Sequence, residues 1–560
     1  MSWIDWAVLL VTTAFIVAWG IWRFRGAQTM GSYLKGGSLS WSTIGISVMA
    51  TQASAITFLS VPGQAYDDGM RFVQFYFGLP LAMVLIAAVF VPLYYRLKVF
   101  TAYEYLESRF DLRVRLLGAF LFLVSRALAT GISLYAPAIL LSAILGWPLA
   151  PTLLIVGIVV IVYTVIGGSR AVSQTQKQQM AVILVGMVAA GITAALSLPQ
   201  DVSLGDALHV AGALGRTQTI DLTFDPANRY NLWSGIIGGF FLQLSYFGTD
   251  QSQVQRYLGG ADTRESRLGL MFNAVLKIPM QAGILFIGVI VFALYVFAKP
   301  PLLWNEPALD AARRAQPTQT AALERAWDEG LTVREGAARS YLAALDTAAE
   351  PAAKEALVQA QAALDADRTK LKASIKEIGG IESEDRDHIF LSFALEYLPP
   401  GLLGLLIAVV LCAVMSSLAS ALSALGTTTV VDFHRRLART PPSEAQTVRI
   451  SKGYTVMWGA FAIGFAALAS AFDNLIQAVN ILGSLVYGTI LGLFLTAFFL
   501  KRVGSRAVFI GALVSEGVVI FLYAGTEVAF LWYNVIGALV VMAIGLVLSF
   551  VWPTRAAVTS

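Results

Sequence analysis

Residues 47–69 read SVMATQASAITFLSVPGQAYDDG, and small and hydroxyl-bearing residues crowd the middle of this apolar segment. Pro62 and Gly63 follow. Proline removes a backbone donor and glycine loosens the chain, so a helix that breaks or ends here would leave carbonyl groups free. Free carbonyls at membrane depth can hold a sodium ion. Close helix packing by small residues explains the same composition, and this segment alone leaves both interpretations open.

The whole chain has the composition of a membrane protein. Of its 560 residues, 57% are hydrophobic and 13% are charged, whereas about 25% of the residues of a soluble domain are charged. This excludes a soluble enzyme. Three histidines and a single cysteine, Cys412, provide no disulfide and no common zinc motif. The net charge of +4 belongs to short segments between apolar runs, which argues against a nucleic-acid-binding face.

Thirteen segments are predicted to be membrane helices, because about 20 apolar residues cross roughly 30 Å of hydrocarbon. They lie at about residues 3–22, 41–61, 72–95, 115–145, 150–168, 179–198, 231–249, 269–298, 398–427, 453–472, 475–500, 505–524 and 529–551. The first segment lacks a basic start and a cleavage site, so we expect a retained helix rather than a signal peptide.

Lys and Arg residues in the short loops predict the orientation. One alternate set of loops holds nearly all of them, from Arg25 in the first loop to Arg555 in the tail. The other set holds only Arg71, Arg216 and Arg229. Since basic loops stay inside, the N-terminus is predicted outside and the C-terminus in the cytoplasm.

Residues 301–388 form a charged insert between the seventh and eighth spans. Apolar residues at helical spacing, punctuated by Pro351 and Gly379–Gly380, predict a helical hairpin on the outer face. A lid or a partner-docking element is one interpretation. A solvated decoration is the favoured one.

The ninth and seventh spans carry polar groups at membrane depth, where each group is costly. The ninth, at about residues 398–427, contains the pair Ser416 and Ser417. Isolated serines usually bond to their own or a neighbouring helix, but adjacent serines beside a breakable helix favour an ion site. In the seventh, Gln243 and Tyr246 offer hydrogen bonds to a solute before Gly248 interrupts the helix. We expect the following TDQSQVQR to emerge into the cytoplasm.

Two basic side chains lie inside apolar spans. Arg126 is in the fourth span, and Lys277 is in the eighth beside Pro279. Each should face the protein interior or water. Arg126 is too deep to reach the membrane surface easily, so a functional role is favoured over a structural ion pair.

Four strings together resemble the sodium:solute symporter family over about residues 3–500: SSLAS (416–420), GTDQSQVQRYL (248–258), FTAYEYLESRF (100–110) and TGISLYAPAI (130–139). The last two are more similar to the monocarboxylate, iodide and multivitamin branch than to the sugar branch. The resemblance implies an all-α polytopic membrane protein with a LeuT-type core of two inverted five-helix repeats, each starting with a discontinuous helix. The implied units are a leading helix and loop (1–40), the first repeat (41–198), the second repeat (231–300 and 389–500), the insert (301–388), and two final helices with a cytoplasmic tail (501–560).

The resemblance also implies a sodium site. Its ligands would be the carbonyls of Ala50, Ala53 and Ala413 and the hydroxyls of Ser416 and Ser417. Oxygens without a carboxylate suit a weakly held monovalent cation.

Some members of the family bind a second sodium with an aspartate, and Gln176 occupies that position here, with Lys177 next to it. Ala419 also replaces an expected hydroxyl. We therefore predict one sodium per cycle. Lys177 facing the cytoplasm is the alternative interpretation of that charge.

The sugar carriers of the family provide a template for the substrate pocket. The implied pocket residues are Thr57, Tyr76, Gln243, Lys277 and Asn480, with Tyr246 as an inner gate and Arg126 added for its charge. Tyr76 and Leu79 replace a glutamate and a serine of the sugar carriers, so a pyranose would leave hydroxyls unmatched at about 1–3 kcal/mol each. Because no acid is predicted beside Arg126 and Lys277, a small monocarboxylate-like anion is favoured.

The prediction is a sodium-coupled symporter of the plasma or inner membrane, whose partners are a small solute, Na+ and the bilayer. No organic cofactor and no nucleic acid are expected. A sodium/sugar symporter, and a carrier of the same fold that is proton-coupled or uncoupled, stay open. A membrane enzyme is disfavoured because the three histidines are predicted outside the spans. A sensor would need a signalling module, and we expect none after Ser560.

Overall fold

The computed structural model describes residues 1–24, 30–35, 38–379, 385–468 and 475–552. Within these ranges the chain is helical and has no β-strand. The α-helices are α1 (Trp3–Phe24), α2 (Trp41–Gln52), α3 (Ala55–Asp68), α4 (Leu79–Leu85), α5 (Val91–Leu97), α6 (Tyr103–Arg109), α7 (Leu112–Leu145), α8 (Leu149–Leu196), α9 (Leu204–Ala213), α10 (Gly239–Thr249), α11 (Gln251–Leu258), α12 (Thr263–Phe297), α13 (Glu306–Ala315), α14 (Pro317–Ala344), α15 (Glu350–Gly379), α16 (Arg386–Tyr397), α17 (Leu402–Thr428), α18 (Arg435–Leu437), α19 (Glu444–Ala466), α20 (Leu475–Phe499), α21 (Ser505–Gly525) and α22 (Phe530–Val551). Arg25, Gly380, Arg555 and the predicted span end at 469–472 lie outside the described residues.

The all-α membrane fold that the family resemblance implied is confirmed. In the described part of the chain, nine helical segments are long and apolar enough to cross a membrane. The predicted spans 150–168 and 179–198 both lie in α8, and α10 and α11 are each too short to span alone. The count of thirteen spans therefore stays a prediction.

A single glycine allows α8 to change direction. Gly168 has non-helical backbone angles (φ +59°, ψ −172°) in the middle of this helix. A Cβ atom at this position would lie 2.5 Å from the ring of Tyr33. Both the positive φ and the close ring favour glycine, so the kink between the two predicted spans is fixed by the sequence.

The interrupted helices α2–α3 and α10–α11 lie at the centre of the bundle. Helix α17 packs against α1, α2, α7 and α8, and α12 packs against both α2 and α3. Helix α20 packs against α7, α10 and α22. All eight residues of α11 are buried, which places the polar side chains that follow the second interruption inside protein rather than lipid.

The insert folds into α13, α14 and α15 around its own small apolar core, which includes Trp327, Leu331 and Leu364. The insert closes on Asp385, whose carboxylate contacts Arg368 and Lys372 at 2.8 Å each. The next residue, Arg386, pairs with Asp67 at the end of α3, at 2.7 Å. The insert is thereby attached to the second half of the first interrupted helix.

Candidate functional site

The first interruption falls at Ala53 and Ser54, between α2 and α3. Ser54 is extended (φ −82°, ψ 169°), and the N–H of Ala53 still bonds to the carbonyl of Met49 at 3.0 Å. Pro62 lies inside α3, so the helix does not break at Pro62–Gly63, where the sequence placed the break. Membrane helices tolerate an internal proline when neighbouring groups re-satisfy the backbone. The break lies beside the residues expected to bind the ion.

Four of the five predicted sodium ligands come together at this interruption. The Ser416 hydroxyl donates to the carbonyl of Ala50 at 3.1 Å and to that of Ala413 at 2.9 Å. The Ser417 hydroxyl donates to Ala413 at 2.8 Å. The fifth residue, Ala53, lies in the interruption itself. Carbonyl and hydroxyl oxygens here suit a monovalent cation, and sodium binding stays a prediction.

Gln176 sits in the middle of an adjacent polar cluster. Its amide nitrogen donates to Thr51 Oγ1 at 3.1 Å, to the Ser416 carbonyl at 3.0 Å and to Ser420 Oγ at 3.1 Å. Its amide oxygen accepts a hydrogen bond from Ser47. Gln176 is fully buried, so its neutral amide fills the space between α2, α8 and α17.

The second interruption falls at Asp250, between α10 and α11. Asp250 is extended (φ −75°, ψ 119°) and caps α11 by accepting from the N–H of Ser252 at 2.9 Å. The break is two residues beyond Gly248, because the aspartate cap starts a new helix. The expectation that TDQSQVQR emerges into the cytoplasm is wrong, since the segment forms buried α11.

A cavity of about 90 Å³ lies between the two interruptions. Six of the seven predicted pocket residues line it: Thr57, Tyr76, Arg126, Gln243, Tyr246 and Asn480. The seventh, Lys277, is not among the lining residues. Its ammonium lies 5.5 Å from the centre of the ring of Tyr76, which itself lines the cavity.

Arg126 has an acidic partner that the sequence did not reveal. Its Nε donates to Asp250 Oδ2 at 3.1 Å, and its guanidinium also donates to the Tyr487 hydroxyl at 2.6 Å. The Tyr487 hydroxyl donates to the same carboxylate oxygen at 3.0 Å. The prediction that no acid lies beside Arg126 is wrong, because the break in the second interrupted helix points Asp250 at α7.

The buried side chain of Gln243 has free hydrogen-bonding atoms that a ligand could use. It is fully buried, and neither its amide nitrogen nor its amide oxygen has a hydrogen-bond partner among the described residues. Gln52 Oε1, also in the cavity wall, likewise has none. Burying unpaired polar atoms costs about 1–3 kcal/mol each, so a solute with donor and acceptor atoms would relieve this cost.

Lys277 is a further unpaired polar group near the cavity. Its side chain is fully buried, and its Nζ has no hydrogen-bond partner among the described residues. Helix α12 therefore places a basic side chain without a hydrogen-bond partner beside the Tyr76 ring.

A second cavity of about 70 Å³ joins the two predicted sites. It shares Gln52, Ser54, Arg126 and Tyr246 with the first cavity, and Ser417 lies in its wall. Sequence reasoning missed Gln52, Asp250 and Tyr487. Gln52 directly precedes the first interruption, and Asp250 forms the second. A polar residue next to a predicted helix break was the signal that could have identified both.

The model of the sodium:solute symporter family matches residues 32–327 and 369–515. Sodium-coupled monocarboxylate transporter 1 of Xenopus laevis is 27% identical over 525 residues, which cover 93% of this chain and 71% of that protein. The human sodium/iodide cotransporter is 34% identical over 307 residues, which cover 54% of this chain and 47% of that protein.

The structure is also similar to a substrate-bound, outward-open Na+-coupled sialic acid symporter. The TM-score is 0.77 at 22% sequence identity, and the match covers 99% of both chains. This likeness supports the LeuT-type fold, in which the two interrupted helices each begin a five-helix repeat.

Proposed function

This chain belongs to the sodium:solute symporter family, a family of membrane transporters and not of enzymes, and we propose that it imports a small organic anion together with one sodium ion. The observation that carries the proposal is the hydroxyl of Ser416, which joins the carbonyls of Ala50 and Ala413. Sodium would be held at this junction by those two carbonyls, Ala53, Ser416 and Ser417.

Sodium at this position would couple to the solute through the first interrupted helix. The ion would hold α2 against α17, and Gln52 and Ser54, which follow directly, line the solute cavity. Filling the ion site would therefore order the cavity wall. Substrate binding would close the outer side, and rocking of the repeats would open the inner side, where sodium and then solute leave. In this cycle the N-terminus is outside and the C-terminus is in the cytoplasm.

The hydrogen bonds of Gln176 support one sodium per cycle. The amide nitrogen of Gln176 already donates to the hydroxyls of Thr51 and Ser420 and to the carbonyl of Ser416, and these are the oxygens that a second ion would need. An amide brings no negative charge to replace the hydration of a cation. A second sodium therefore has neither free oxygens nor a counter-charge at this point.

Three observations support a small anion as the solute. The cavity of about 90 Å³ is smaller than an engineered cavity of about 150 Å³ that holds benzene, and a hexose has twice as many non-hydrogen atoms as benzene. Lys277 adds a basic side chain that has no carboxylate partner among the described residues. The two relatives described above are named for a carboxylate and for a halide.

Uptake into proteoliposomes tests the proposal. Labelled short carboxylates, vitamins, sialic acid and hexoses would be offered with and without an inward sodium gradient. Ser417→Ala would be compared with Ser423→Ala, a control two turns further along α17. We expect sodium-dependent uptake of a short carboxylate that Ser417→Ala abolishes and Ser423→Ala retains. Hexose uptake would overturn the substrate class, and uptake indifferent to sodium would overturn the coupling.

A further inference from the structure

A second candidate binding site lies far from the solute cavity, where the insert meets the end of α3. A cavity of about 20 Å³ opens there between Tyr66 and Asp67 on one side and Arg334, Asp365 and Arg368 of the insert on the other. Arg216, in the segment after α9, completes its wall. A cavity needs about 10–15 Å³ to hold one water-sized species, so this space admits a single small ligand.

The unpaired atoms around this cavity are all donors. The Nε atoms of Arg216, Arg334 and Arg368 are buried without a hydrogen-bond partner among the described residues. No lining residue has an unpaired buried acceptor in its side chain in the same part of the chain. Arg334 is only 2% exposed. Three unpaired N–H groups around one small space favour an acceptor, and none is supplied by the residues that the structure describes.

The neighbouring carboxylates are already engaged. Asp67 pairs with Arg386 at 2.7 Å, and Asp365 Oδ1 accepts from the amide of Gln361 at 2.8 Å. Arg334 donates to the carbonyl of Tyr295 at 2.5 Å and contacts no carboxylate within ion-pair distance among the described residues. Three arginines and two aspartates line the cavity, and Arg368 also pairs with Asp385 at 2.8 Å. The excess positive charge of the wall therefore lies on Arg216 and Arg334, neither of which has a carboxylate within ion-pair distance among the described residues.

A water molecule fits this wall less well than an anion. Water accepts at most two hydrogen bonds and has two hydrogens of its own to donate, whereas an anion accepts from all three N–H groups and balances the excess charge. We propose that this cavity binds one monovalent inorganic anion of the size of chloride. The anion joins Arg334 and Arg368 of the insert to the α3 end, so its binding stabilises the attachment of the insert.

Thermal unfolding of the purified full-length protein tests the site without measuring transport. Wild type is compared in sodium chloride and in sodium gluconate at equal sodium concentration, because gluconate is too large for the cavity. We expect the unfolding temperature to be higher in chloride by about 2 °C or more. Arg334→Gln should lose this difference, and Arg325→Gln, an exposed arginine on the same helix α14, should keep it.

Arg216→Gln provides a second variant if Arg334→Gln does not fold, and it should lose the chloride effect in the same way. Crystals grown in sodium bromide should show an anomalous peak within hydrogen-bonding distance of the three Nε atoms. Equal unfolding temperatures of the wild type in both salts would overturn the proposal. So would a chloride effect that persists in Arg216→Gln or Arg334→Gln, or a bromide map without a peak in this cavity.

Discussion

Asp250 Oδ2 accepts a hydrogen bond from Arg126 Nε at 3.1 Å, and the two residues are 124 positions apart in the chain. The pair ties the break between α10 and α11 to α7. Tyr487 of α20 shares the same carboxylate oxygen at 3.0 Å. Helix α7, the break between α10 and α11, and helix α20 thus meet at one ion pair beside the solute cavity. We therefore expect this pair to couple the shape of the cavity to movement of these helices.

Breaking the Arg126–Asp250 pair should destabilise the protein strongly. Asp250→Asn or Arg126→Gln alone leaves a buried charge without its partner, which costs about 3–5 kcal/mol. The double variant removes both charges and should lose much less than the sum of the two single losses. Thermal unfolding of all four proteins measures this coupling. Additive losses would contradict the pairing.

Removing the Ser416 hydroxyl should weaken sodium binding. Ser416→Ala deletes one proposed ligand and the contact between Ala50 and Ala413. The sodium concentration for half-maximal uptake should rise on the order of tenfold, which corresponds to about 1.4 kcal/mol. Ser423→Ala on the same helix serves as the control. An unchanged sodium dependence in Ser416→Ala would refute this assignment.

Replacing Gln176 by aspartate should create a second sodium site. A carboxylate among Ser47, Thr51 and Ser420 would need a cation, since no basic partner contacts Gln176 in the described residues. Sodium activation of uptake should then change from a Hill coefficient near one towards two. Gln176→Asn has the length of aspartate without its charge and should stay near one. Equal Hill coefficients in Gln176→Asp and Gln176→Asn would contradict the prediction that a negative charge at this position creates a second sodium site.

Lys277 is predicted to strengthen the binding of an anionic solute at a cost to the stability of the protein. Lys277→Met removes a buried ammonium without a hydrogen-bond partner, so the unfolding temperature should rise. The KM of the anionic solute should increase on the order of tenfold, because a positive charge beside Tyr76 is lost. Lys277→Arg keeps the charge and should keep the low KM. An unchanged KM in both Lys277→Met and Lys277→Arg would show that the charge of Lys277 does not contribute to solute binding.

The attachment of the insert to the membrane helices should weaken at low pH. Burial alone would raise the pKa of Asp385, but the charges of Arg368 and Lys372 and the N–H of Trp304 hold its pKa below the usual range. A lowered pKa means that the ionised carboxylate stabilises the fold at neutral pH. This stabilisation is complete above the ordinary aspartate pKa of about 3.9 and is lost as the pH falls through the lower value in the folded protein.

Hydrogen exchange of α15 amides, corrected for the intrinsic rate, measures this effect. Protection should be constant from pH 7 to pH 5 and fall below about pH 4. Asp385→Asn should lower the protection already at pH 7 and flatten its dependence on acid. Unchanged protection in Asp385→Asn would show that the ion pairs do not hold α15.

Short-range patterns in the sequence predicted much of the candidate site. Ser416 and Ser417 are adjacent, and Thr57, Gln243 and Tyr246 belong to segments whose composition departs from their apolar surroundings. Spacing along a helix fixes only which residues of that helix share a face. That residues of different helices meet at one cavity was implied by the family resemblance.

Contacts between distant segments could not be predicted in the same way. Asp250 was assigned to the cytoplasm, because a polar run after an apolar span usually leaves the membrane, while here α11 is enclosed by other helices. Lys277 matches a pocket position in sequence, yet it lies beside the Tyr76 ring and is not among the residues that line the cavity. The break falls at Ser54, and Pro62 stays inside α3, which the local sequence did not indicate.

The amide of Gln176 has an electrical consequence. If one sodium enters with one monovalent anion, the cycle moves no net charge, so the membrane voltage would neither drive nor oppose uptake. The solute could then be concentrated only as far as the sodium concentration ratio across the membrane. A second sodium would add one charge, worth about 2.3 kcal/mol per 100 mV. The side chain at position 176 would thus decide whether this transporter draws on voltage or on ion concentration alone.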